Sequence, residues 1–169
     1  MAVFVLVHGA WHGGWCWRRV ADILRARGHH VTTPTMTGLG ERAHLLSSEI
    51  TLTTFGEDLR LHLEFEDLRD VVLVGHSFAG SPISYAAETA RDRIARLVYL
   101  DATLAQGGET PLSVMAPEVI AHWPLCPLVQ CANELTNEVK TYALVQRKTE
   151  LSTGVCVRVK SWDTSLATC

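Results

Sequence analysis

Phe4-Val5-Leu6-Val7 is an unbroken apolar run closed by His8-Gly9, the pattern of a short strand with both faces buried in a parallel sheet. After a Gly- and Trp-rich turn, Trp17, Val20, Ala21 and Leu24 recur at helical spacing, with Gly28 where a left-handed C-terminal cap belongs. His30-Val31-Thr32-Thr33, stopped by Pro34, predicts a second and less apolar strand. A second helix is expected from Thr54 to Phe65, with Thr54 as cap, Glu57 as its capping-box partner, and Phe55, Leu59 and Leu63 on one face. Val71-Val72-Leu73-Val74 is the clearest buried strand. It runs directly into Gly75-His76-Ser77-Phe78-Ala79-Gly80 and a third helical pattern through Ile83, Ala86 and Ala87, with Pro82 suited to the first turn. Leu97-Val98-Tyr99-Leu100 forms a fourth strand ending at Asp101.

Strands and helices thus alternate over residues 3 to 101, which predicts an α/β fold: one parallel sheet with helices on both faces. Beyond Asp101 the pattern weakens. Gln106-Gly107-Gly108 and the prolines from Pro111 to Pro127 predict loop, and only Val155 to Val159 looks strand-like. The expected division is a core over residues 1–117 and a segment of the same domain, atypical or truncated, over 118–169.

A length of 169 residues sets a single-domain prior, and 47% hydrophobic with 20% charged residues describes a globular chain. The net charge of −3, with no basic cluster longer than Arg18-Arg19, excludes nucleic acid and anionic membrane as partners. No apolar run approaches the ~20 residues of a membrane span, and no basic n-region with a cleavable apolar stretch opens the chain. The five cysteines, Cys16, Cys126, Cys131, Cys156 and Cys169, are odd in number and form no CxxC pair, so the expectation is reduced thiols in a cytoplasmic protein. His8 and His12 have no carboxylate or thiol at ligand spacing, and no metal or cofactor is expected. Gly9-Ala10-Trp11-His12-Gly13-Gly14 follows a strand as a phosphate-cradling loop would. Its spacing fails, however, because Trp15 stands where a glycine is needed and Thr32, Thr33 and Thr35 stand where a ribose-binding acid belongs.

The string Gly75-His76-Ser77-Phe78-Ala79, set between an apolar strand and a helix, has the context of a nucleophile elbow. Such a turn lifts the serine hydroxyl above the sheet's carboxyl edge and needs small residues two before and two after it, here Gly75 and Ala79. The Phe78 N–H, at a helix start, is one candidate donor to a developing oxyanion. The second is the N–H of Ala10, in the His8-Gly9-Ala10-Trp11 loop after the first strand.

At these residues the chain resembles the α/β-hydrolase fold family, and within it the branch of methylesterases, hydroxynitrile lyases and small bacterial esterases. The matching stretches are Phe4 to Trp15, Gly38-Leu39-Gly40-Glu41-Arg42, Val71 to Gly80 and Val98 to Ala102, in that branch's order, over residues 3 to about 117. The resemblance implies a carboxylesterase-type mechanism: Ser77 attacks a small ester, Ala10 and Phe78 amides hold the oxyanion, and water resolves the acyl-enzyme. Lyases of this branch carry threonine where this chain has Gly9, which favours ester hydrolysis over a hydroxynitrile lyase-like activity.

The family order of partners is Ser, then Asp or Glu, then a late His. Asp101 is the candidate acid, with Asp163 a second, and His122 the candidate base; each also has an ordinary structural reading. His76 is read as structural. Residues 123–169 do not resemble the family's lid or last βα units. A catalytically impaired, hydrolase-like protein that binds a small apolar ligand is therefore the rival reading, with Trp11, Trp15 and Trp17 as either a ligand wall or packing. An incomplete sheet edge leaves room for a homo-oligomer.

Overall fold

A computed structural model of the chain describes residues 1–102 and the strand at 142–147; the expectations for His122, Asp163, the loop 106–127 and the strand Val155 to Val159 lie outside the described residues. In chain order the elements are β1 (Val3–Val7), α1 (Arg18–Ala26), β2 (His30–Thr32), α2 (Leu52–Phe65), β3 (Val71–His76), α3 (Gly80–Thr89), β4 (Ile94–Ala102) and β5 (Tyr142–Arg147). Short 3-10 turns at Gly14–Trp17, Gly40–Leu45, Ser77–Ala79 and Arg91–Arg93 join them. The sheet order is β2-β1-β3-β4-β5. The first four strands pair in parallel, as expected, and the two central pairings are in register from Val3↔Val71 to Val7↔Gly75 and from Val72↔Arg96 to His76↔Leu100.

Alternation along β1 explains its unbroken apolar sequence. Val5 and Val7 enter a large core with Phe55, Leu59 and Leu63 of α2 and Ile83 and Ala86 of α3, while Leu6 enters a smaller one with Trp17, Ala21, Val31 and Val74. The sheet is covered on both faces, so Val5, Leu6 and Val7 are all removed from water, while Val3 and Phe4 are half-buried. Among the described residues no helix is long and apolar enough to cross a membrane.

α1 ends as its sequence predicts. Gly28 sits at φ +81°, its N–H bonds the Arg25 carbonyl and the His29 N–H bonds Leu24, the paired bonds of a Schellman cap. Val20, assigned by spacing to the buried face, is exposed; the stripe that meets the sheet is Trp17, Ala21 and Leu24 at i, i+4 and i+7. α2 starts earlier than expected. Its cap is Thr51, and Thr54 is the reciprocal partner, with Thr54 N–H donating to Thr51 Oγ1 at 3.4 Å and Thr51 N–H to Thr54 Oγ1 at 3.1 Å. Glu57, free of that duty, pairs with Arg60 at 2.8 Å. Phe55, Leu59 and Leu63 are buried as the spacing required.

The expectation of a wholly parallel sheet is corrected at β5, which runs antiparallel to β4. Its sequence, Tyr-Ala-Leu-Val-Gln-Arg, carries one β-branched residue and no alternation, so its strand state comes from the available edge of β4 rather than from local preference. β4 itself is longer than expected and includes Asp101, where φ is +47° and the pairing with β5 is irregular.

Arg93 ties α2 to the start of β4. One guanidinium nitrogen donates to the carbonyls of Leu63 and Leu68 and to Asp67, at 3.3, 3.2 and 3.1 Å. The carbonyls belong to the helix end, where a cation is favourable, whereas Asp67 is 76% exposed and its ion pair is screened. We expect Arg93→Ala to lower unfolding stability by about 1–3 kcal/mol and Asp67→Ala by no more than about 0.5 kcal/mol, measured by urea denaturation. Equal losses would show that the ion pair, not the carbonyl contacts, holds the helix end.

Candidate active site

β3 alternates like β1. Leu73 and Gly75 face α2 and α3, whereas Val74 and His76 face α1, and the strand then turns into Ser77. Ser77 adopts φ +55°, a left-handed conformation that costs a non-glycine residue on the order of 1–3 kcal/mol. It is half-buried and opens the 3-10 turn Ser77–Ala79, which leads into α3. A Cβ on Gly75 would lie 2.9 Å from the Ala79 carbonyl oxygen and 2.8 Å from Ile83 Cδ1, which is the close strand-to-helix approach the elbow spacing predicts. Ala79 fits there fully buried, so its methyl is accommodated in place of a second glycine. Phe78 stacks edge-on against Phe55 with ring centres 5.4 Å apart, which anchors the turn to α2.

The loop after β1 lies directly against this turn. A Cβ on Gly9 would be 3.2 Å from Ser77 Cβ and 3.2 Å from His76 Nδ1. The structure therefore brings together the Gly9-Ala10 segment and the Ser77-Phe78 turn, as two separate sequence signals suggested. Trp11 in the same loop has φ +57° and is 48% exposed.

His8 is fully buried at the end of β1, and its ring makes two contacts. The Met36 N–H donates to Nε2 at 3.1 Å, so Nε2 carries no proton and Nδ1–H donates to the Gly9 carbonyl at 2.8 Å. Burial holds its pKa below the usual histidine range, with the Gly9 hydrogen bond and Glu41 opposing and His12 adding to the effect. This arrangement was not legible in sequence; the available signal was a histidine placed at a buried strand end. His12 is exposed, with Nδ1 2.8 Å from the Ala10 carbonyl.

The loop after β2 closes over the same region. Gly14 N–H donates to Thr35 Oγ1 at 2.7 Å, Arg42 to the Thr35 carbonyl at 2.8 Å, and Thr37 to both oxygens of Asp58 at 2.6 and 2.8 Å. The Thr35 hydroxyl holds the Glu41 carboxyl below the usual carboxylate range, helped by its own backbone amide. The Gly38 to Arg42 motif is thus a structural brace.

His76 meets the edge of Trp17 with ring centres 6.2 Å apart, on the α1 face, which agrees with its structural reading. Burial lowers its pKa and the nearby Asp101 carboxylate works against that shift. Asp101 follows Leu100, the partner of His76 in the sheet, and so stands beside Ser77 at the carboxyl edge; it is exposed. Of the three tryptophans, Trp17 is packing, while Trp11 and Trp15 are about half exposed. Among the described residues no group of three or more side chains could hold a metal ion.

Comparison with known proteins points one way. The model of the alpha/beta hydrolase family matches residues 4–148. The chain is 48% identical over 127 residues to the carbendazim hydrolyzing esterase of Nocardioides sp. (strain SG-4G), covering 73% of this chain and 52% of that protein. It is 35% identical over 114 residues to methylesterase 1 of Arabidopsis thaliana, covering 66% and 43%. Among solved structures, an extracellular alpha/beta-hydrolase from a Paenibacillus species, described as sharing structural and functional homology with tobacco salicylic acid binding protein 2, superposes with TM-score 0.66 at 31% identity, over 72% of this chain and 49% of that one. A pyrethroid hydrolase from Sphingobium faniae JZ-2 does so with TM-score 0.59 at 32% identity, over 69% and 46%. The chain spans about half the length of the relatives it matches.

Three histidines, His8 buried and His62 and His76 half-buried, set an acid limit to this architecture. His8, His62 and His76 all have folded-state pKa values lowered chiefly by burial, so below about pH 6.5 the unfolded chain binds protons that the folded one refuses. Their contribution is complete above that pH and is lost as pH falls toward the folded values. Urea midpoints should decrease between pH 7.5 and 5.5, before carboxylates titrate; a flat profile in that window would contradict the neutral burial of these rings.

Proposed function

The chain belongs to the alpha/beta hydrolase family, and from that premise we propose that it hydrolyses small carboxylic esters through an acyl-enzyme on Ser77. The observation that carries this reading is the close approach of the Gly9 loop to Ser77, where a Cβ at position 9 would lie 3.2 Å from Ser77 Cβ, with Ser77 itself in a left-handed turn at the head of α3. On this reading two main-chain amides from separate loops, of Ala10 and Phe78, serve the serine as oxyanion donors. Ser77 Oγ attacks the ester carbonyl, its proton passes to the base, and negative charge moves onto the carbonyl oxygen, where both amides donate to it. Collapse expels the alcohol, and water releases the acid by the same steps in reverse order. His122 is assigned as base and Asp101 as acid, Asp101 on its position beside Ser77. The named relatives, an esterase and a methylesterase, support this reaction class. Gly9 supports hydrolysis over cyanohydrin cleavage, since the lyases the chain resembles carry a threonine at this position. The exposed free thiol of Cys16 fits a reducing, cytoplasmic setting.

Ser77→Ala should lower p-nitrophenyl acetate hydrolysis by about 10³-fold or more, leaving the residual acceleration that fixed amides and binding supply. A fluorophosphonate should modify Ser77 of the wild type, as peptide mass spectrometry would register. Equal rates for both proteins would remove Ser77 as nucleophile, and the absence of an adduct would favour the ligand-binding reading.

A further inference from the structure

The Ala10 amide belongs to the peptide unit joining Gly9 to Ala10, and in a trans peptide the N–H points opposite the C=O of the same unit. Whatever holds the Gly9 carbonyl therefore aims the Ala10 N–H. Two donors hold it: His8 Nδ1 at 2.8 Å and the His12 backbone N–H at 3.4 Å. The shorter bond comes from a ring that cannot rotate freely, because its other nitrogen accepts from Met36 at 3.1 Å and the residue has no exposed surface. Met36 is itself fully buried in the larger core. A rigid chain thus runs from the core, through Met36 N–H and the imidazole, to the Gly9 carbonyl, and ends at the residue whose position 9 lies against Ser77.

Resting on the reading of Ser77 as nucleophile, we infer that His8 is a positioning residue of the oxyanion hole, a neutral imidazole strut between Met36 and the Gly9 carbonyl that fixes the direction of the Ala10 amide. The geometry requires one protonation state and one tautomer. A proton on Nε2 would face the Met36 N–H and break the strut at its core end. Burial disfavours that charged form, in agreement with the lowered pKa. The inference gives the buried histidine a role in charge stabilisation without placing it in contact with substrate. It also assigns the two ring nitrogens separate duties: Nε2 anchors, and Nδ1 aims.

Two conservative variants separate those duties. His8→Asn offers an amide donor near the place of Nδ1 and loses the Met36 acceptor; His8→Gln offers an acceptor near the place of Nε2 and loses the Gly9 donor. In the ¹⁵N-labelled full chain at pH 7.5, the His8 ring should show Nδ1 protonated and Nε2 bare. The Ala10 amide should be rigid in the wild type, with an order parameter of about 0.85, should fall below about 0.6 in His8→Gln, and should lie between the two in His8→Asn, which keeps the Gly9 donor without its core anchor. An Nε2–H tautomer, or an Ala10 amide unchanged in His8→Gln, would overturn the assignment. In p-nitrophenyl acetate hydrolysis, His8→Gln should lose about 10- to 100-fold in kcat with KM changed by no more than about twofold, because the oxyanion exists only in the transition state, and the kcat of His8→Asn should lie between those of His8→Gln and the wild type. A wild-type kcat in His8→Gln, or a KM that moves with it, would reject aiming in favour of a purely structural role. Absence of turnover in the wild type would instead count against Ser77, and the amide measurement would then decide the role of His8 by itself.

Discussion

The site depends on how closely two main-chain turns can approach at the carboxyl edge of adjacent parallel strands. β1 and β3 pair in register up to Val7↔Gly75, so the loops leaving them emerge side by side, two residues later, at Gly9 and Ser77. A Cβ at position 9 would lie 3.2 Å from both Ser77 Cβ and His76 Nδ1, so the space between those loops is tight. A left-handed serine is costly in an isolated turn. Here it follows a strand whose residues alternate between two cores, and it precedes a helix whose packing against α2 is dense enough that a Cβ on Gly56 would overlap the Tyr85 ring. The surroundings over-determine the turn, which is how local strain persists at a functional position.

Polar contacts rather than apolar ones hold the second layer. The chain between β2 and α2 buries few large side chains near the site. It is fixed instead by Asp58, which accepts from both the N–H and the hydroxyl of Thr37, and by Arg42, which donates to the Thr35 carbonyl and stands 3.6 Å from Asp58. Thr35 passes this fixation to the β1 loop through Gly14. Such bonds are directional, so they set the position of a loop more sharply than an equal area of apolar burial would. His8 belongs to the same layer, since Met36 follows Thr35 directly and its N–H ends on the His8 ring.

Much of this was legible where the sequence acts locally. Strands buried on both faces read as continuous apolar runs, the Gly28 cap reads from its place after the last helical turn, and the elbow reads from a serine between a strand and a helix. The failures are of another kind. The α2 cap was misplaced by three residues because Thr51, Thr53 and Thr54 all suit a cap, and only the geometry selects Thr51. Val20 was placed inward because a helical stripe has soft edges. β5 was missed because its strand state is conferred by pairing with β4. The Thr35 and Thr37 contacts of the brace and the His8 strut are invisible to local patterns because Gly14–Thr35, Thr37–Asp58 and His8–Met36 join residues 21 to 28 apart.

The chain separates two parts of the proposed chemistry that are often treated as one. The proposed nucleophile and both proposed oxyanion donors fall between residues 10 and 78, within the first three strands and their loops, which the β1–β3 register brings side by side. Proton transfer is assigned to His122, far along the chain, and to Asp101 at the end of β4. Charge stabilisation by fixed amides does not need the base to be in place, and hydrolases deprived of triad members retain about 10³- to 10⁴-fold acceleration over water from such donors and from binding. On the proposed mechanism the amides of the elbow and of the Gly9 loop supply transition-state binding, while turnover rates report on the base. That division places the selective demand for rigidity on the early strands, which is where the described contacts concentrate it: a neutral ring locked at both nitrogens, a strained serine between two cores, and a threonine–aspartate brace behind them.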